Sequence, residues 1–201
     1  MRQSKIISIL KGDKIIVLYN EKVKQRDDGE LVYGGGQWIG HADAMYSRDG
    51  APRIETREQF MTLYDISTKK GSEYYFDLRT YPSLVDMEDF SDTDEMAEKL
   101  DTRFTVGDKL QLSAFRGENE TILFVNDRYL APFQKKDEGG VEYIIRGNDR
   151  GKYLVIRQEM QLAAIILPVK LTNDTRSINL ADELGIIRHE VQSQINAAER
   201  K

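Results

Sequence analysis

The chain has 201 residues and a formal net charge of −5 at pH 7, with 29 basic and 34 acidic side chains, and 40% of its residues are hydrophobic. This composition is typical of a globular chain and excludes wholesale disorder. It contains no cysteine, which excludes disulfides, thiolate metal sites and a cysteine nucleophile.

The apolar runs of the sequence are too short for a signal peptide or a membrane helix. The N-terminal run at residues 6–10 has five residues, whereas the core of a signal peptide needs roughly 7 to 15. No run approaches the about 20 apolar residues of a membrane helix. We therefore expect a soluble, cytoplasmic protein with no membrane partner, and the net negative charge argues against generic binding to nucleic acid.

The N-terminal region alternates β-rich runs with turn residues. Residues 5–10 and 14–24 flank Gly12-Asp13, and this arrangement predicts a β-hairpin. A further strand is expected to begin at residues 31–33. A meander of short antiparallel strands is the simplest outcome.

Residues 34–43 have the most unusual local composition, with four glycines, the only tryptophan and one of the two histidines. Successive glycines expose backbone N–H groups that form anion nests, but the P-loop lysine and the dinucleotide glycine spacing are missing. Two interpretations stay open: a β-bulge or wide loop in which the tryptophan packs on the core, or a ligand site. The candidate ligand contacts are Gly34, Gly35, Gly36, Trp38, His41 and Asp43.

The next region predicts a short helix and a strand. Thr56-Arg57-Glu58-Gln59 has the form of a capping box, and apolar residues follow at helical spacing. We predict a helix over about residues 56–66 that ends by Lys69-Lys70-Gly71, and a strand over residues 74–78.

Residues 86–101 contain eight acidic residues against one lysine. Carboxylates bind divalent cations, but the glycine and distal glutamate of an EF-hand loop are missing. We interpret the stretch as a solvated helix or loop, with Ser91 as the N-cap of a short helix.

The second half predicts two hairpins and a buried strand. Residues 110–115 pair with residues 121–125, and residues 141–146 pair with residues 152–158, because turn-forming residues separate the members of each pair. Residues 162–169 carry no polar side chain, so we predict a strand buried on both faces that ends at Pro168 or lies at an edge.

These elements predict an α+β fold of predominantly antiparallel β type, as a bent sheet or partly open barrel. It has short helices near Thr56 and Ser91 and a C-terminal amphipathic helix. No linker divides residues 1–178, so we expect one β-rich core domain followed by a helix over residues 179–201. Residues 106–110 echo residues 11–15, and this echo raises the possibility of duplicated β-units near residues 1–80 and 104–171.

The C-terminal segment allows two interpretations. Residues 180–195 resemble a helix-turn-helix, whose DNA contacts would be Arg188 and Gln192. However, an apolar stripe stays in phase through Gly185, and this favours one continuous amphipathic helix that docks on its own sheet or on a partner, including a second copy. The residues of this C-terminal stripe are Leu180, Leu184, Ile187, Val191, Ile195 and Ala198.

The catalytic signals are sparse. His41 and His189 lack a metal-ligand spacing, and no G-x-S-x-G elbow occurs, so we predict no metal and no cofactor. By elimination we predict a non-enzymatic binding or assembly protein of unknown ligand, acting through a protein partner or self-association at the C-terminal helix. The alternatives are a DNA-binding regulator that uses the helix-turn-helix-like segment, and an enzyme with its site at residues 34–43.

Overall fold

The computed structural model of the chain describes residues 1–20, 23–25, 31–33, 36–41, 43–48, 50–80, 85–107, 110–134, 140–148 and 151–169. The predicted C-terminal helix, with Arg188 and Gln192, lies outside these residues, as do Gly34 and Gly35. The predicted duplication stays a prediction.

Helices and strands follow in this order: α1 (Gln3–Asp13), β1 (Ile15–Asn20), β2 (Val23–Gln25), β3 (Leu31–Tyr33), β4 (Gln37–Gly40), β5 (Ala44–Ser47), α2 (Arg57–Leu63), α3 (Thr68–Gly71), β6 (Tyr75–Thr80), β7 (Glu95–Val106), β8 (Leu110–Gly117), β9 (Ile122–Asn126), a 3-10 helix (Asp127–Phe133), β10 (Val141–Asn148), β11 (Gly151–Gln158) and β12 (Gln161–Ile166).

A mixed ten-stranded sheet organises the fold, in the order β6-β1-β4-β5-β12-β11-β10-β7-β8-β9, while β2 and β3 form a separate pair. β1 and β6 run parallel, and the other neighbours run antiparallel. The sheet is not closed. The predicted α+β class, rich in antiparallel strands with a few short helices, is confirmed at this level.

Both faces of the sheet are covered, because its central strands bury side chains in both directions. In β11, Leu154 and Ile156 enter the first core cluster, whereas Tyr153 and Val155 enter the second. A third cluster of Phe104, Leu112 and Ala114 lies at the β7-β8 end, and Val169 packs against it.

The predicted N-terminal hairpin is wrong, because residues 3–13 form α1. Ile6, Ile9 and Leu10 fall at i, i+3 and i+4, and all three are buried in the first cluster, so burial of this helical face outweighs the β preference of isoleucine. The helix ends at Lys14, whose φ of 56° is left-handed and whose N–H donates to the Leu10 carbonyl.

The predicted helix capped by Ser91 is also wrong. Residues 95–106 form β7, which pairs with both β10 and β8. Ser91 instead belongs to a turn in which its carbonyl accepts from the Asp94 N–H at 3.0 Å.

Other local predictions are confirmed. Thr56 and Gln59 form the capping box of α2, which ends at Leu63, and a separate short helix, α3, follows it. Both predicted hairpins form. β12 is buried between β5 and β11 and ends at Ile166, before Pro168.

Candidate functional site

A tight turn between β4 and β5 positions His41. Among the predicted site residues, histidine is the type that ordinarily exchanges a proton near neutral pH. The His41 N–H donates to the Ala44 carbonyl at 3.0 Å. A Cβ on Gly40 would lie 2.1 Å from that carbonyl oxygen, so only glycine permits this close approach. Gly40 therefore fixes the position of His41.

The imidazole of His41 lies among groups from three segments. Its Nδ1 accepts a hydrogen bond from the Asp43 N–H at 3.2 Å, and its Nε2 lies 3.7 Å from Oδ2 of Asp13. The ring centroid lies 4.9 Å from that of Tyr129, with the planes tilted by 53°. Because Nδ1 accepts, the hydrogen-bond network assigns the proton of the neutral ring to Nε2.

The Asp13 carboxylate is oriented by Arg128. Nη1 of Arg128 lies 2.8 Å from Oδ1 of Asp13, and its Nη2 donates to the Ile9 carbonyl at 3.4 Å. Its guanidinium also lies 5.7 Å from the centroid of the Tyr129 ring. The arginine thus joins the 3-10 helix to the end of α1, beside the turn that carries His41.

Burial controls the proton affinities of this cluster. It lowers the pKa of His41, and the nearby carboxylates of Asp13 and Asp43 oppose that effect without cancelling it. Burial also raises the pKa of Tyr129 to about 12, and the same two carboxylates add to the rise. At neutral pH the cluster therefore contains a neutral imidazole and a neutral phenol.

The geometry limits what His41 can do chemically. Its side chain is 5% exposed, and both ring nitrogens face groups of the protein. The Nε2 to Oδ2 separation of 3.7 Å is longer than a hydrogen bond, and neither atom has another partner among the described residues. A substrate would reach a ring nitrogen only after Asp13 or the Asp43 backbone moved away.

The predicted ligand residues that the structure describes do not form one group. Gly36 is partly buried, Asp43 is exposed beside His41, and Trp38 is buried in the second core cluster. Trp38 packs in the second core cluster, whereas the His41 ring contacts Tyr129 of the first, so the two side chains lie on opposite faces of the sheet. Trp38 packs on the core, but it does so from strand β4 rather than from a bulge or wide loop. The ligand assignment stays a prediction.

Three members of the cluster were not predicted. Asp13 was interpreted as part of a turn, and no sequence pattern indicated Arg128 or Tyr129 as site residues. Arg128 is 115 residues from Asp13 along the chain. No local spacing indicates such a pair, because the contact depends on how the 3-10 helix packs against α1.

The acidic stretch is bound to the sheet by a buried arginine. Arg146 is 0% exposed and donates from Nε to Oδ1 of Asp94 at 2.6 Å and from Nη2 to Oδ2 at 3.0 Å. Its Nη1 also donates to the carbonyls of Asp86 and Glu88. Both oxygens of Asp94 are therefore occupied by a cation of the chain itself. Within the described ranges, no group of three or more histidine or acidic side chains is arranged to hold a metal ion.

A groove of about 540 Å³ lies between α2 and α3 and is lined by residues that include Arg57, Met61 and Asp65. The guanidinium of Arg57 already donates to the carbonyls of Gly71 and Tyr74. Nη2 of Arg57 is therefore already hydrogen-bonded within the chain and is not available to a ligand in the groove.

In the part of the chain that the structure describes, no helix is both long enough and apolar enough to span a membrane. Comparisons with protein-family models, curated proteins and solved structures found no match.

Proposed function

We propose that the chain is a non-enzymatic binding or assembly protein. The observation that carries the proposal is the enclosure of His41, the best catalytic candidate in the sequence. Its ring is 5% exposed, and its two nitrogens are directed to Asp13 and the Asp43 backbone. A general base needs a ring nitrogen within hydrogen-bond reach of its substrate, and the buried His41 ring does not offer one. Burial of the ring instead suits a structural role, in which His41 belongs to a polar cluster that joins α1, the β4-β5 turn and the 3-10 helix.

The partner in this proposal is a protein, bound through the C-terminal stripe defined above. The end of the described residues supports the idea. The Val169 N–H donates to the Phe124 carbonyl at 2.8 Å, and Val169 packs against the third cluster. The last described residue thus lies beside an apolar part of the sheet. The amphipathic helix predicted further along the chain would have an apolar face to place on its own sheet, a partner or a second copy.

The test measures the mass of the full chain by sedimentation equilibrium from about 1 to 100 µM. We expect an average mass above the 23.1 kDa monomer. The double variant Leu184→Asp/Val191→Asp places two charges in the stripe and is expected to lower that mass. Ser193→Asp/Asn196→Asp adds the same charge on the opposite side of the predicted helix, and is expected to leave the mass unchanged.

Two results would favour the alternatives. Turnover of a substrate that His41→Asn abolishes, in a variant with an unchanged near-ultraviolet circular-dichroism spectrum, would establish an enzyme. Salt-sensitive binding to duplex DNA that Arg188→Ala abolishes would establish a DNA-binding regulator.

A further inference from the structure

Among the described residues, β6 is an outer strand of the ten-stranded sheet and has no neighbouring strand on its outer side. At one end, β9 pairs with β8 and its Phe124 carbonyl also accepts the Val169 N–H. At the other end, β6 pairs with β1 on one side only. Strands with an open edge add further strands by backbone hydrogen bonding.

The register with β1 shows which backbone groups face this open edge. The Tyr75 N–H donates to the Lys14 carbonyl at 2.9 Å, so Tyr75 directs its backbone groups toward β1. Alternate residues of a strand direct theirs to opposite sides. Phe76, Leu78 and Thr80 therefore direct N–H and C=O groups away from the sheet. The Leu78 N–H donates to Oδ1 of Asp77 at 2.9 Å, a bond within the strand that pairing with an antiparallel partner would replace.

We infer that the partner is a second copy of this chain, with β6 of each copy paired antiparallel about a two-fold axis at Leu78. Such an isologous contact uses the same surface on both copies. It pairs Leu78 with its copy and Phe76 with Thr80 of the copy, all residues whose backbone groups face outward. Two ten-stranded sheets then become one continuous sheet.

The charges on β6 select this register over its neighbours. An axis at Asp77 would place two aspartates opposite each other, and an axis at Arg79 would place two arginines opposite each other. The axis at Leu78 instead places Asp77 opposite Arg79 of the copy, in a non-hydrogen-bonded pair where side chains lie closest. Like charges directly opposite are destabilising, and opposite charges are stabilising.

The exposed side chains of β6 fit the same arrangement. Nε of Arg79 lies 2.6 Å from Oδ2 of Asp77 within one copy, so both charges already lie on one face of the strand. Leu78 is 43% exposed on the other face, beside Phe76, which packs on the first core cluster. Pairing would cover the leucine with its own copy, while the charge pattern disfavours attachment of unrelated strands.

A single cysteine tests the contact directly, since the chain contains none. In a hydrogen-bonded antiparallel pair the Cα atoms lie about 5.5 Å apart, within the range of about 4.4 to 6.8 Å that a disulfide requires. Leu78→Cys is therefore expected to form a covalent dimer under mild oxidation. Met160→Cys, at a site that is 64% exposed, is the control and should form no covalent dimer. Equal cross-linking of the two variants would overturn the inference.

Charge exchange tests the register. Asp77→Arg alone and Arg79→Asp alone each place like charges opposite each other, so each is expected to weaken dimerisation at least tenfold. The double variant Asp77→Arg/Arg79→Asp restores opposite charges and should recover dimerisation. A double variant as weak as the two singles would overturn the register.

Backbone donors are tested at the same position. Leu78→Pro removes the outward N–H, and with it the bond to Oδ1 of Asp77, but it removes no bond to β1. Proline is tolerated on the open side of an edge strand. It should abolish the dimer while the circular-dichroism spectrum stays unchanged. Leu78→Ala keeps the N–H and serves as the control. Dimerisation by the folded proline variant would count against the edge contact.

This inference rests on the proposed function, yet the two can fail separately. In the background Leu184→Asp/Val191→Asp, we expect a dimer of twice the 23.1 kDa monomer, and Leu78→Pro in that background should give the monomer. A background that is already monomeric would overturn the edge dimer and leave the C-terminal contact standing. A wild-type chain that stays monomeric at all concentrations overturns both proposals of self-association.

Discussion

Replacement of Arg146 by methionine tests whether the acidic stretch before β7 is held by a buried cation. Methionine keeps most of the apolar stem and removes the guanidinium. The change leaves Asp94, whose side chain is 15% exposed, without its two charge-assisted hydrogen bonds. It also leaves the carbonyls of Asp86 and Glu88 without the donors at 3.0 and 2.7 Å.

The magnitude follows from burial. Loss of one member of a buried ion pair costs about 3 to 5 kcal/mol when the remaining charge stays buried without compensation. Oδ2 of Asp94 keeps the Ser91 N–H at 3.2 Å and Nη1 of Arg157 at 3.8 Å, so we expect a loss at the lower end, about 3 kcal/mol, for Arg146→Met. Arg116→Met is the matched control, since its Nη2 lies 2.7 Å from Oε2 of Glu98, which is 65% exposed. Exposed pairs contribute about 0 to 1 kcal/mol. Although the two ion pairs have similar lengths, we therefore expect Arg116→Met to lower the free energy of unfolding much less than Arg146→Met does.

The assay is urea denaturation of the two variants, with Asp94→Asn and the double variant Arg146→Met/Asp94→Asn completing a thermodynamic cycle. We expect a coupling energy of about 1 to 3 kcal/mol, because the second substitution costs little once the first has been made. A loss below about 1 kcal/mol for Arg146→Met, or strict additivity, would refute the role assigned to this arginine.

Three further predictions concern single residues. Gly40→Ala should destabilise the fold by about 3 kcal/mol in denaturant titrations, because its Cβ would meet the Ala44 carbonyl oxygen at 2.1 Å; a loss under about 1 kcal/mol would contradict this. Thr56→Ala should cost about 1 kcal/mol by removing the capping bond from the Gln59 N–H, and an unchanged denaturation midpoint would argue against the box. Burial lowers the pKa of His41 below its ordinary 6.5, so the unfolded state binds a proton more readily than the folded state. The resulting contribution of His41 to the free energy of unfolding is complete above pH 6.5 and is lost as the pH falls toward the lowered pKa. His41→Gln should lack that part of the pH dependence, and equal pH profiles of variant and wild type would contradict it.

Much of the local structure was predictable, because its causes lie within a few residues of each other. The run of turn-forming residues at 147–151 predicts a reversal between β10 and β11, and the β-rich runs on either side indicate the strands. The capping box at Thr56 marks the start of α2. Pro168 marks where β12 must stop, since proline has no N–H for the ladder.

The sequence by itself determined the class of fold, the two hairpins of the second half and the buried strand β12, whereas only the tertiary structure decided α1, β7 and the surroundings of His41. The run containing Ile6 fits a strand or a helix by local preference, and burial against distant strands selects the helix. The acidic stretch acquires its partner from Arg146, which is 52 residues from Asp94. The Asp13 carboxylate reaches His41 and Arg128 because α1 and the 3-10 helix meet beside the β4-β5 turn. Each of these outcomes depends on contact energies between residues far apart in the chain, and no local pattern encodes those energies.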